Sequence, residues 1–215
     1  DGVEADDVIG TLAKQAAERG MRVVVSTGDK DLAQLVNDRV TLVNTMTNET
    51  LDADAVTAKF GVPPERIVDY LTLVGDTVDN VPGVDKCGPK TAVKWLTQYG
   101  DLDNLVANAA EVKGAVGENL RRALDWLPMG RKLVTVALDC DLAPQVTSIE
   151  ASLQTQPEDV ETLRDFFARH GFKTLLREAE TAVAAKVGEE APAPVADTIE
   201  RQYEAVLTWE QFDAW

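Results

Sequence analysis

The hydrophobic period of this chain changes once, at Pro82. Before it, short β-branched runs alternate with helical spacing. "MRVVVST" and "RVTLVNT" have the apolar, branched composition of buried strands in a parallel sheet. "DDVIGTLAKQAAER" has the spacing of an amphipathic helix and stops at Gly20. "DKDLAQLV" reads as a short helix after Gly28, "TNET" as a polar turn, and "DADAVTAKFG" as a helix opened by Asp52 or Asp54. Pro63-Pro64 then opens the helix "ERIVDYLTLVG". Beyond Pro82 the pattern is helical throughout: "GPKTAVKWLTQYG", "LDNLVANAAEV", "GENLRRALDWL", "PEDVETLRDFFARHG" and "KTLLREAE". "RKLVTVALDCDL" starts as helix or strand, and its spacing does not decide between them. The predicted class is therefore α/β: a partial parallel-sheet core followed by an all-helical region.

Composition excludes several classes. No run of about 18 apolar residues is present, so no segment reads as a membrane span. No signal peptide is recognisable, and the chain opens at Asp1 inside a motif-like segment, as expected of a piece cut from a longer protein. Cys87 and Cys140 have no CxxC spacing and no histidine neighbour. That argues against a zinc site or disulfide framework and for a reducing cytoplasm. His170 is the only histidine and lies in "FFARHGF", where it reads as a helix end. From Ala179 the chain is rich in Ala, Glu and Pro and reads as a flexible linker. "YEAVLTWEQFDAW" then reads as a strand and helix start of a further domain.

A net charge of -16 argues against nucleic acid as a partner until its distribution is considered. Residues 1–80 carry -8, residues 81–135 carry +2, and residues 136–215 carry -10. The middle segment can meet a polyanion through local groups.

Seven acids fall in three clusters: Glu4, Asp6 and Asp7 in "GVEADDVIG", Asp29 and Asp31 in "STGDKDLAQ", Asp76 and Asp79 in "VGDTVDN". Asp29 and Asp31 follow a strand, where α/β sites form. Asp76 and Asp79 have helical spacing and share one face. Taken singly, each acid reads as a helix cap or a solvated charge. Taken together, like charges in one place raise each other's pKa, and a divalent cation relieves the conflict. An all-oxygen set favours Mg²⁺, Mn²⁺ or Ca²⁺. Two such ions about 3.5–4 Å apart suit phosphodiester hydrolysis and need no catalytic histidine. An EF-hand starting at Asp29 fails, because its glycine and glutamate positions hold Gln34 and Val40. The Asp-Thr-Gly run of an aspartic protease is absent.

"GVDKCGPKT" misses the Walker A pattern because Pro89 stands between Gly88 and Lys90. A helix start fits better. Pro89 suits the first helical position, the first N–H groups are free for a phosphate, and Lys90, Thr91 and Lys94 stand close by. Val81, Val84, Val93, Trp95 and Leu96 read as core.

In this order, "GVEADDVIGTLA", "VVVSTGDKDLAQLV" and "LVGDTVDNVPGVDKCGPKTAVKWL" resemble the 5′ nuclease domain of bacterial DNA polymerases, within the flap endonuclease superfamily. The resemblance covers residues 1–177. It implies a PIN-like nuclease core and a helix-hairpin (H3TH) DNA-binding region. It also implies a structure-specific 5′ nuclease that removes RNA primers and 5′ flaps with two or more Mg²⁺ or Mn²⁺ ions. By motif, Glu4, Asp6, Asp7, Asp29, Asp31, Asp76 and Asp79 fall on the metal-binding carboxylates. Residues 81–97 fall on the hairpin motif, which implies DNA contacts from Gly83, Val84, Gly88, Lys90, Thr91 and Lys94, and a K⁺ ion there. The implied partners are DNA (5′ flaps, nicked or gapped duplex, primer junctions) and polymerase domains in cis, in the bacterial cytoplasm near the nucleoid. Residues 178–198 would be a linker and 199–215 the start of a 3′–5′ exonuclease-like domain. The sequence departs at Cys87, usually aliphatic, and Pro89, usually polar. The family's N-terminal half, with further aspartates and an arch, has no counterpart here. A duplex-binding piece without activity and a PIN-like ribonuclease remain alternatives.

Overall fold

The structure is a computed structural model that describes residues 2–187 and 206–214. It divides into two compact units, residues 1–154 and 155–215.

In the first unit, helix α1 (Ala5–Glu18) starts with a capping box in which Asp7 Oδ2 accepts the Glu4 N–H at 3.1 Å. It buries a stripe of Gly10, Thr11, Ala13 and Ala16. Strand β1 (Val23–Ser26) pairs in parallel with β2 (Val40–Asn44), Val23 opposite Val40 and Ser26 opposite Val43. Between them Asp31–Leu35 forms a 3-10 turn that buries Leu32, Ala33 and Leu35. The segment read as a turn runs into a third strand, β3 (Glu49–Leu51), antiparallel to β2. Asn48, at φ 56, makes the tight reversal that allows it. The sheet order is β1-β2-β3. Among the described residues parallel pairing therefore covers only β1 and β2.

Helix α2 (Ala53–Phe60) is capped by Asp52, whose side chain accepts the Ala55 N–H at 2.9 Å. A Pro64–Arg66 turn leads into α3 (Ile67–Val74), which buries Ile67, Tyr70, Leu71, Thr72 and Leu73. Asp69 is buried with them. Its charge is met by Arg131 Nη2 at 2.9 Å and the Leu102 N–H at 3.2 Å. The helices that follow are α4 (Pro89–Tyr99), α5 (Leu102–Ala107), α6 (Ala115–Ala123), α7 (Leu127–Val134) and the short α8 (Ile149–Ser152). The single helix expected over "GENLRRALDWL" is broken: Leu127 opens α7, with Pro128 in its first turn. The undecided "RKLVTVALDCDL" is both things in part. It finishes α7 and then runs on without helix toward α1. Gln34 clamps that run, donating to the Val134 carbonyl and accepting from the Val136 N–H.

One core joins sheet and helices, with Leu32, Leu42, Ile67, Leu71, Leu73, Leu105, Leu120 and Leu127 almost wholly buried. At about 25 cal/mol per Å² of apolar surface, such side chains each contribute roughly 1.5–3 kcal/mol.

In the second unit α9 (Val160–His170) and α10 (Lys173–Val187) pack on each other, joined at Gly171 with φ 73. His170 ends α9, as its context predicts. Helix α10 continues to Val187, into the stretch read as a linker, and residues 188–198 of that stretch lie outside the described residues. Residues 203–205 of "YEAVLTWEQFDAW", read as a strand and helix start, lie outside them too, and α11 (Trp209–Ala214) follows. Among the described residues no helix is long and apolar enough to cross a membrane.

Candidate metal centre

The carboxylates are gathered by two polar turns. At the end of β1, Thr27 Oγ1 accepts the Asp29 N–H and Asp29 Oδ1 accepts the Asp31 N–H, both at 2.9 Å. This leaves Asp29 exposed and turns Asp31 inward at the start of the 3-10 turn. The second turn follows α3. Helical spacing predicts Asp76 and Asp79 on one helix face, but α3 ends at Val74 and Gly75 breaks it at φ 79. Gly75–Asp76 (β4) instead pairs with Val81–Pro82 (β5) around a tight loop. Asp76 Oδ1 accepts the N–H groups of Val78, at 2.8 Å, and Asp79, at 3.4 Å. The loop is thus folded around the Asp76 carboxylate.

Oxygens of Asp31, Asp76 and Asp79 all lie within 4.8 Å of one another. Asp76 is buried, Asp31 half-buried and Asp79 exposed, so the group runs from the interior to the surface. Asp6 belongs to the same electrostatic neighbourhood. Partial burial, then the charges of Asp29, Glu4, Asp7 and Asp79, push its pKa up. Burial also raises Asp31, to about 6, with Lys30 opposing and Asp29 and Asp76 adding to the rise. Asp76 goes the other way. Burial would raise it, but the Lys30 hydrogen bond and the Val78 and Asp79 N–H groups outweigh that and hold it low.

Glu4 and Asp7 are placed differently. They form the α1 capping box, and Asp7 Oδ1 also accepts the Ala137 N–H at 2.8 Å. Each carboxylate oxygen retains a further lone pair, so this bonding is compatible with ligation. Asp7 also fastens the chain after α7 to α1.

Sequence reasoning passed over Lys30. Its ammonium is hydrogen-bonded to Asp76 and stands 3.5 Å from Asp31 Oδ1. The available signal was its place between Asp29 and Asp31, a cation inside an acidic pair.

The donor set fits a hard divalent cation. It is all oxygen, and Asp31 Oδ1 is buried without a hydrogen-bond partner, as a ligand atom would be.

The helical side of the site is fixed by backbone contact. A Cβ added at Gly83 would lie 2.4 Å from the Val74 carbonyl carbon and 2.5 Å from the Gly75 nitrogen. Only glycine permits this approach. Val84 is buried and its N–H donates to the Leu73 carbonyl at 2.9 Å. Gly83 and Val84 therefore clasp α3 to the loop before α4. Gly88, which caps α4, and Lys90 and Lys94 on it are exposed, and Thr91 is half-buried. The free N–H groups expected at this helix start are fewer than the sequence implies. Pro89 has none, and those of Thr91 and Ala92 donate to the Gly88 carbonyl. Cys87 is buried, and burial pushes its thiol up to about 12, so it packs as a small apolar group.

Residues 1–61 match the family model described as 5′–3′ exonuclease, N-terminal resolvase-like domain, and residues 62–159 match 5′–3′ exonuclease, C-terminal SAM fold. The chain belongs to the 5′–3′ exonuclease family. Over 227 aligned residues it is 41% identical to DNA polymerase I of Pseudomonas aeruginosa, across 100% of this chain and 24% of that protein. Over 179 residues it is 38% identical to a 5′–3′ exonuclease of Aquifex aeolicus, across 83% of this chain and 60% of that one. It thus spans less than two thirds of either relative. Among solved structures, a bacteriophage T5 flap endonuclease in a pseudo-enzyme-product complex with DNA and metal ions matches with TM-score 0.60. That match is at 20% identity over 70% of this chain and 57% of that chain. T5 5′-exonuclease with bound zinc matches with TM-score 0.58 at 23% identity, over 62% and 50% of the respective chains. At these identities the likeness is one of fold, and it agrees with the α/β core and helical region of this family member.

Proposed function

We propose that this chain carries the 5′ nuclease activity of its family, hydrolysing phosphodiesters at 5′ flaps and 5′ ends of DNA with Mg²⁺ or Mn²⁺. The observation that carries the reading is the convergence of Asp31, Asp76 and Asp79 within 4.8 Å at the end of the sheet, with Asp31 Oδ1 buried and unpaired. Asp6 and Asp29 extend the acidic group toward a second ion, and Glu4 and Asp7 hold the start of α1 against it. A divalent ion held there supplies Lewis-acid charge to phosphate oxygens and makes a water more acidic. The residues do the rest. The carboxylates fix where the cations sit, and the Asp76 loop keeps their geometry. Lys90, Thr91 and Lys94 on α4 offer charge and a hydroxyl to the duplex backbone, which positions without reading sequence. The DNA expected is a flap, a nick or gap, or an RNA–DNA primer junction, with polymerase domains of the longer protein in cis. A K⁺ ion at residues 81–97 belongs to the same proposal.

A second reading is duplex binding without cleavage. What favours it is the exposure of Lys90 and Lys94 on α4, which can meet a duplex backbone whether or not the carboxylates cut. One experiment separates the two. A labelled 5′-flap duplex is incubated with the chain in Mg²⁺, Mn²⁺ or EDTA, alongside Asp76→Ala. Metal-dependent cutting near the junction, lost in the variant, supports the nuclease. Retained duplex binding with no cutting selects the second reading. Preference for single-stranded RNA over flap DNA would instead select a ribonuclease.

A further inference from the structure

We propose that the Lys30 ammonium is a resident placeholder cation in the carboxylate centre, one that a divalent ion must displace. The inference rests on the metal-centre reading above. Lys30 Nζ is hydrogen-bonded to Asp76 and 3.5 Å from Asp31 Oδ1, so it bridges two of the three converging carboxylates. It is the only basic side chain paired with any of those three acids among the described residues.

The two sides of this contact differ in freedom. Asp76 is pinned by the Val78 and Asp79 N–H groups and its side chain is 3% exposed. Asp31 is held at the start of its 3-10 turn. The Lys30 side chain is 43% exposed, on a flexible four-carbon stem. When cations exchange, the carboxylates stay and the lysine leaves. One ammonium also satisfies the site incompletely. At 3.5 Å it does not give Asp31 Oδ1 a proper hydrogen bond, and that buried oxygen has no other donor. A single positive charge among several acids stabilises the empty geometry and still leaves the site attractive to a divalent ion. The device has two consequences. It lowers divalent affinity by the strength of the lysine contact, and it keeps the carboxylates together when no ion is bound.

The test is Mn²⁺ binding, read as the loss of free-ion EPR signal, on the full chain and on Lys30→Met and Lys30→Arg. Lys30→Met is expected to bind Mn²⁺ about three- to tenfold tighter, the range set by losing a partly exposed ion pair that competes for the site. Lys30→Arg, which keeps the charge, should stay near wild type. Thermal melts supply a second readout. In EDTA Lys30→Met should melt below wild type, and saturating Mn²⁺ should raise its melting temperature by more than it raises that of wild type. Equal or weaker Mn²⁺ binding by Lys30→Met, with wild type binding normally, overturns the placeholder and leaves the metal centre standing. If wild type binds no more Mn²⁺ than Asp76→Ala, the metal centre itself falls, and this inference with it.

Discussion

Gly75 and Gly83 touch backbone to backbone: a Cβ on Gly75 would stand 2.4 Å from the Gly83 nitrogen. This contact closes the loop that carries Asp76 and Asp79 and fixes the approach to α4. Gly83→Ala therefore forces backbone apart and should cost about 1–3 kcal/mol or more in urea unfolding. Gly88, with nothing within 4 Å of its added Cβ, provides the control. Gly88→Ala should change stability by no more than about 0.5 kcal/mol. Equal costs at the two glycines would refute the clasp.

Asp76 has a structural task, and the proposed function gives it a chemical one that can be separated from it. Asp76→Ala removes the acceptor of two backbone N–H groups and should cost about 1–3 kcal/mol. Asp76→Asn keeps an acceptor oxygen and should fold more nearly as wild type. Under the proposed function both should lower single-turnover flap cleavage by at least about 100-fold, because the charge that would hold the cations is lost. Cleavage surviving in Asp76→Asn would remove this residue from the metal centre.

Asp7 ties α1 to the chain beyond α7 through the Ala137 N–H. Asp7→Ala should destabilise the first unit by about 1–3 kcal/mol, because that N–H and the α1 start both lose their acceptor. Loss of hydrogen-exchange protection at Ala137 checks the mechanism directly.

The pH dependence of the metal-free chain follows from Asp31. Its folded pKa is raised from 3.8 to about 6, so the folded state binds the proton more tightly than the unfolded state. The stability it contributes is complete below about pH 4 and is lost as pH rises through about 6. Asp76 has the opposite sign, since its pKa is lowered; its contribution is present above the ordinary carboxylate range and is lost in acid. In EDTA, Asp31→Asn should flatten the decline in melting temperature between about pH 4 and pH 6. Mn²⁺ competes with the same proton, so its affinity should rise with pH over that interval and level off above it. An unchanged melting profile in Asp31→Asn would contradict the assignment.

Much of this site is legible in the sequence because its acids lie next to strong local punctuation. Gly28 and the β-branched run before it announce a strand end, so Asp29 and Asp31 are found where such ends carry chemistry. The Asp76–Asp79 spacing misleads, because three residues apart describes a helix face and a tight turn equally well. What separates them is the backbone contact of Gly75 with Gly83 across the loop, which no period records. Strand β3 is three residues long and has too little alternation to register. The break between α6 and α7 is signalled by Pro128, but the apolar positions run straight across it. Lys30 is hidden for a different reason: a lysine between aspartates normally reads as a solvated charge, and only the fold brings Asp76 to it.

The glycine clasp also works as a gauge. Under the proposed function α4 would meet a duplex phosphate and the carboxylates the scissile one, and the segments that carry them are joined at Gly75 and Gly83 by main-chain atoms in direct contact. Long side chains, which stretch and swing, do not set that separation. The spacing between the held phosphate and the cut would then be a fixed length of the protein, counted off along whatever strand lies across it. Cleavage position would be governed by where the duplex begins, and would be indifferent to which bases the strand contains.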